Sequence, residues 1–261
     1  MRFKASQSWA TKFKARNHIV SRSITHKVGP DYYVKQQDKR VAADEFVAQV
    51  RQTIQTNGYQ PHEVINFDQS LFQKEIKSGR TLNKQGEKKI FGAVDLINAS
   101  THSYMVMPYI DASGGLCPRL YLKTPEASGT FPAVRRPNIP SNISAHAGTS
   151  AMMTTSDLET FLEILITDFI SRKYTKALFI ADSWSSNKND KLWNSLVKKY
   201  RNEIQLQKMI VPPGTTGMVQ PCDVFFFRQW KSFTRHISDA VEVNSKIHLR
   251  DHFLALQAFV H

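Results

Sequence analysis

Ala177-Leu-Phe-Ile-Ala-Asp182 runs for five residues without a polar side chain and then stops on a carboxylate. A continuous apolar run of that length fits a strand covered on both faces, and such strands belong to sheets that carry helices on either side. On its N-terminal side Leu158, Phe161, Leu162, Leu165 and Phe169 recur at helical spacing, with Ser156 and Glu159 as a capping pair. On its C-terminal side Leu192, Trp193, Leu196, Val197 and Tyr200 repeat that spacing. A strand follows over Leu206 to Val211, and Pro212-Pro213-Gly214 ends it. Strands alternating with amphipathic helices define an α/β domain with a mixed sheet.

Working outward, His62-Glu-Val-Ile-Asn-Phe-Asp68 is a second strand-like run that ends on aspartate, with Val64, Asn66 and Asp68 on one face and Ile65 and Phe67 on the other. Segments 89–98, 103–110 and 116–123 read as further strands of an antiparallel meander, and 124–154, rich in Pro, Ser, Asn and Gly, as a long surface loop. Phe46, Val47, Val50 and Ile54 place a helix over 42–57, stopped by Asn57-Gly58. Residues 5–16 form a short basic helix carrying Trp9 and Phe13, and 21–40 a polar linker. After Gln220-Pro221 a last helix is expected, with Asp223 in its first turn and Phe226, Trp230, Phe233 and Ile237 on its buried side.

A chain of 261 residues with 41% hydrophobic content can bury a substantial core. No apolar stretch approaches the roughly 20 residues that span a bilayer, and the first residues lack the apolar middle of a secretion signal, so a soluble intracellular protein without a membrane partner is expected. Cys117 and Cys222 are far apart and read as packing residues. The net charge of +13 favours a polyanionic partner, nucleic acid first, because neutralising phosphates releases counterions. Ten Lys/Arg in residues 1–40 face only Asp31 and Asp38, giving +8 in that segment. This asymmetry marks a nucleic-acid-contacting arm or module on a more neutral body.

Asp68, Asp182 and Asp223 therefore stand at two strand ends and one helix start, the kind of place where open α/β sheets bind ligands. Three carboxylates suit hard cations, Mg²⁺ or Mn²⁺, which take oxygen ligands and leave positions for water and phosphate. A pair of such ions serves in-line phosphodiester displacement. The plainer alternative makes Asp68 and Asp223 turn or helix caps. Arg228, Lys231 and Arg235 form a basic stripe on the last helix that could hold a DNA backbone, or simply face solvent. Asp95 and Asp111 are reserve carboxylates, although Asp111 lies in a turn-forming DASGG context.

Three blocks carry a family resemblance: Val64-Ile-Asn-Phe-Asp-Gln-Ser70 followed by Ser78-Gly-Arg-Thr-Leu and Gly86-Glu-Lys-Lys-Ile90; Leu178-Phe-Ile-Ala-Asp-Ser-Trp-Ser185; and Val211-Pro-Pro-Gly-Thr-Thr-Gly-Met-Val-Gln-Pro-Cys-Asp223. They resemble the catalytic blocks of DDE superfamily endonucleases, in the pogo/Tigger and centromere-protein-B-like branch of mariner-type transposases. The third block is the most specific, and the 40 residues between Asp182 and Asp223 suit the helix and strand that the family places there. The resemblance implies an RNase H-like mixed sheet flanked by helices, Asp68, Asp182 and Asp223 as catalytic metal ligands, Mg²⁺ or Mn²⁺, and cleavage and strand transfer of double-stranded DNA in the nucleus, with room for a homodimer. Residues 1–40 are similar to the end of a helix-turn-helix DNA-binding module, which implies Lys12, Lys14 and Arg16 as its phosphate contacts, the plainer alternative being an isolated basic helix without a role; 41–261 are similar to the catalytic domain, shortened at its C-terminus. Two positions depart from the family pattern: Gln69, where many relatives carry Glu, and Asn187, where many carry His. These departures and the partial first module leave a second expectation, a domesticated or decayed transposase that binds DNA without cutting it.

Overall fold

The computed structural model describes residues 6–20, 32–74, 103–134, 136–241 and 250–261. The chain divides into two compact units, Met1–Asp38 and Lys39–His261. In the first, helix α1 (Gln7–Arg16) starts where the Ser6 side chain accepts a hydrogen bond from the Trp9 N–H. It buries no residue, and Trp9 and Phe13 stack on each other at 5.0 Å instead of entering a core. Helix α2 spans Tyr32–Asn57, so residues 32–40 are helical where a linker was expected; 21–31 lie outside the described residues. Gly58, at φ +61°, closes α2 in the left-handed conformation that glycine adopts without strain, and the Tyr59 N–H reaches back to the Ile54 carbonyl.

Among the described residues the second unit has eight strands: β1 (Val64–Phe67), β2 (Ser70–Gln73), β3 (Ser103–Met107), β4 (Tyr109–Asp111), β5 (Leu120–Pro125), β6 (Ile143–Gly148), β7 (Lys176–Ala181) and β8 (Gln205–Ile210). They form one sheet in the order β4-β1-β7-β8 and another in the order β2-β3-β5-β6. The two sheets share a ribbon. Phe67 pairs with Tyr109 in the first sheet and Ser70 with Val106 in the second, so the register runs unbroken from one to the other. That register sets Asp68 opposite Pro108, which has no N–H to give the ladder. The ribbon creases there, and Asp68 lies in the crease.

Alternation along the strands decides which helix covers which face. Ile65, Phe67, Phe179, Met105 and Tyr121 point to one side, where α3 (Thr155–Ser171) and α4 (Asp190–Tyr200) supply Leu158, Phe161, Leu162, Leu165, Phe169, Trp193 and Leu196. On the other side Val64, Leu178 and Ile180 pack against Phe46 of α2. There too, Phe72, Tyr104, Val106, Leu120 and Leu122 pack with Trp230 of α6 (Phe227–Val241) and Phe253 and Leu254 of α7 (Arg250–Val260). Mixed sheets flanked by helices are thus the architecture expected from the strand–helix alternation.

Several local expectations need correction. The cap of α3 is Thr154 with Asp157, not Ser156 with Glu159. Within 124–154 a strand, β6, pairs parallel to β5; its ISAHAG sequence carries little apolar signal, because most of it is only half-buried. β3 and β5 pair antiparallel as expected of 103–110 and 116–123, and only β6, parallel to β5, makes the order mixed, while 89–98 and Asp95 lie outside the described residues. Val47 and Val197 face solvent rather than the core.

Candidate active site

Asn66 of β1 stands opposite Ile180 of β7 in a parallel ladder, and two residues further along each chain is an aspartate. Asp68 and Asp182 therefore leave the sheet side by side at the C-terminal ends of neighbouring strands. Asp223 arrives from the next strand, β8. The Val211 N–H continues that ladder to the Ala181 carbonyl at 2.8 Å. The chain then turns through Gly214, at φ +76°, into the single turn α5 (Thr216–Val219). A π-helical turn over Cys222–Phe226, leading into α6, carries Asp223.

One buried side chain ties these three segments together. The Asn66 amide, on a residue only 4% exposed, donates from Nδ2 to the Ile180 carbonyl at 2.9 Å, and its Oδ1 accepts from the Cys222 N–H at 2.8 Å. The Cys222 thiol returns a 3.7 Å contact to the Asn66 carbonyl. A polar residue in the otherwise apolar Val-Ile-Asn-Phe run is the sequence signal for this role, and sequence reasoning passed over it. Asn187 acts closer still: its Nδ2 donates to Asp182 Oδ1 at 2.6 Å, and its own carbonyl accepts from Trp193 Nε1 and Lys208 Nζ. Asn187 thus supplies a hydrogen-bond donor to the second aspartate.

The three carboxylates lie close enough to repel one another. Burial first, then the charges of Asp182 and Asp223, push the Asp68 carboxyl up to about 8, against the opposing pull of the Gln69 N–H and Lys231. Asp223 is raised for the same reasons, burial first and Asp182 second. Lys231 lies in the field of both Asp223 and Asp68; burial nonetheless carries its ammonium below the usual lysine range. Its Nζ also sits 5.6 Å from the Phe72 ring and 5.9 Å from the Phe227 ring.

Two features of the site bear on a divalent cation. Oxygen donors that raise each other's proton affinity are a set whose repulsion a hard cation relieves. Each acidic segment also carries a buried amide with an unmade hydrogen bond: Gln69 Oε1 beside Asp68, Asn187 Oδ1 after Asp182, and both ends of Gln220 before Asp223. Such groups suit bonds to water around an ion. As the side chains stand, no three acidic, histidine or cysteine groups among the described residues are gathered closely enough to hold a metal. The donors fit the group in kind, and binding would require them to draw together.

The remaining site expectations fall in different places. Asp111 is consumed by its turn, its Oδ1 accepting from the N–H groups of Ser113 and Gly115. Lys12, Lys14 and Arg16 are exposed on α1, in the first unit. Arg228, Lys231 and Arg235 are exposed on α6, but they do not act as one stripe: Lys231 faces the aspartates, while Arg228 lines a furrow on the outer side of the helix.

An α/β unit with this mixed sheet is an RNase H-like transposase catalytic fold, and solved structures bear that out. The Mos1 transposase paired-end complex with left transposon end is similar over 96% of this chain and 68% of its own, at 10% identity and a TM-score of 0.52. The Mos1 mariner paired end complex with Mn is similar over 97% and 68%, at 10% identity and TM-score 0.52. No curated protein sequence matches the chain. The model of the DDE superfamily endonucleases matches residues 121–253, and the chain belongs to that family. The match takes in Asp182 and Asp223 and begins after Asp68, whose place rests on the parallel pairing of β1 with β7.

Proposed function

We propose that this protein binds double-stranded DNA and breaks and rejoins its phosphodiester bonds as a transposase, in the pogo/Tigger manner. Asp68, Asp182 and Asp223 would hold Mg²⁺ or Mn²⁺. The observation that carries the reading is the electrical coupling of three carboxylates on three chain segments that a single buried amide, Asn66, holds in register. When bound, the ions would supply Lewis-acid activation of the attacking and leaving oxygens. The chain's own part is positional. Asn187 fixes the orientation of the Asp182 carboxylate, Asn66 fixes the spacing of the strand ends, and Lys231 offers a cation beside Asp68 and Asp223 where a scissile phosphate would bring negative charge. Mos1, similar in fold, is named in complexes with a transposon end and with Mn, which supports DNA and divalent metal as this chain's partners.

Purified protein should nick end-labelled duplex DNA when Mn²⁺ or Mg²⁺ is added and stop when the metal is chelated. Asp182→Ala should lower the rate by at least about 100-fold, the scale of losing a preorganised charge at a reacting centre. Undiminished nicking by that variant would remove the assignment. The amide of Asn187, rather than an imidazole, beside Asp182 favours a second reading, in which the site has lost catalysis and the protein keeps DNA binding alone. Titration calorimetry separates the two, since a decayed site should give no Mn²⁺ isotherm.

We also propose that residues 1–40 belong to a DNA-binding module, with Lys12, Lys14 and Arg16 on phosphates, and 41–261 to the catalytic domain, and that the protein works in the nucleus.

A further inference from the structure

The outer side of α6 and the π-helical turn before it carry two large aromatic rings in solvent, Phe225 at 68% exposure and Phe233 at 50%. They line one furrow with Arg228, Gln229 and His236. Nothing in the core requires phenylalanine here, because Phe227 and Trp230 already make the buried side of the helix. Exposed apolar rings next to cationic and amide side chains form a surface that both stacks and hydrogen-bonds. Its lining starts at Val224, the residue after Asp223.

We propose that this furrow is a stacking site for unpaired nucleotides at a DNA end. This rests on the DNA-binding reading above and adds to it which form of DNA is held and where. The Arg228 guanidinium lies in the furrow itself, with the Gln229 amide and the His236 imidazole beside it, and so complements a phosphate chain. The Phe225 and Phe233 rings suit bases free of their partners, since pairs inside a duplex are stacked on both faces and present only edges to a protein surface. Eight residues of helix separate the two rings by roughly 12 Å along the axis, a span of about two nucleotides of extended strand. Arg228 lies between them in sequence, on the same furrow, where a guanidinium can meet the intervening phosphate or stack beside a base.

The test compares a blunt fluorescent duplex with the same duplex carrying a four-nucleotide single-stranded extension. Binding to the full chain is followed by anisotropy in chelator, so that no cleavage intervenes. The extension should tighten binding about tenfold, the worth of one stacked base. Phe225→Ala with Phe233→Ala should abolish that gain and leave blunt-duplex affinity unchanged; both rings are exposed, so folding is not at risk. Equal binding of the two DNAs by the unaltered protein overturns the stacking site while leaving duplex binding intact. Binding of neither DNA overturns the DNA-binding reading and the site with it. If the double variant keeps the gain, or changes only the oligomeric state, the furrow is a protein contact and the proposal fails.

Discussion

Replacing Asp68 by asparagine removes a charge that burial and two neighbouring carboxylates oppose. In the unfolded chain this carboxyl titrates near 4, and in the folded protein near 8. The folded state therefore holds the extra proton between those values, and stability falls as pH rises through the window. In chelator, Asp68→Asn should raise the melting temperature at pH 8.5 by roughly 4 °C, on the scale of 1–2 kcal/mol at this chain length. The increase should be smaller at pH 5.5, where wild-type Asp68 is already neutral in the folded state. An equal increase at both pH values, read by differential scanning fluorimetry, would argue against the raised carboxyl. Asn66→Leu should cost about 2–4 kcal/mol in urea unfolding, because it strands the Ile180 carbonyl and the Cys222 N–H in a dry interior. The three aspartates were legible in the sequence because each terminates a patterned run or follows a breaker. The partners of Asn66 were not, because a polar residue in an apolar strand signals a buried hydrogen bond without saying which segment, more than 100 residues away, receives it.

Elements with strong periodicity were readable, and those whose register depends on a bulge were not. The helix around Leu158 and the strand ending at Ala181 stand as their apolar spacing implies. The final helix was expected to bury Phe226, Trp230, Phe233 and Ile237. The π-helical turn over Cys222–Phe226 inserts an extra residue and rotates the helix beyond it, so Phe227, Trp230, Thr234 and Ser238 point inward and Phe233 outward. Helix α7 went unread from sequence; its place depends on a buried polar chain in which Trp230 Nε1 donates to Gln257 Oε1 at 2.9 Å and Gln257 Nε2 donates to the Tyr104 hydroxyl oxygen at 2.7 Å. Gln257→Leu leaves both the indole N–H and the phenol without partners and should cost about 2–3 kcal/mol. Thr154→Ala should cost about 1 kcal/mol by uncapping α3. Chemical denaturation checks both, and the glutamine variant should be the more damaging.

Charge is a property of the molecule as a whole. With +13 over 261 residues, duplex binding should weaken steeply as salt rises. Changing Lys12, Lys14 and Arg16 together to alanine should reduce the slope of log affinity against log salt by about 2–3 if each neutralises a phosphate. An unchanged slope would take those residues out of the DNA contact. The creased ribbon has a consequence at this same scale. Because β1 with β2, and β3 with β4, are two continuous stretches that each serve both sheets, neither sheet can open while the other stays closed. Backbone amides of Val64–Phe67, Ser70–Gln73 and Ser103–Met107 should exchange with deuterium as one cooperative block, at the rate of global unfolding, and the two halves of the acidic cleft should melt in a single event.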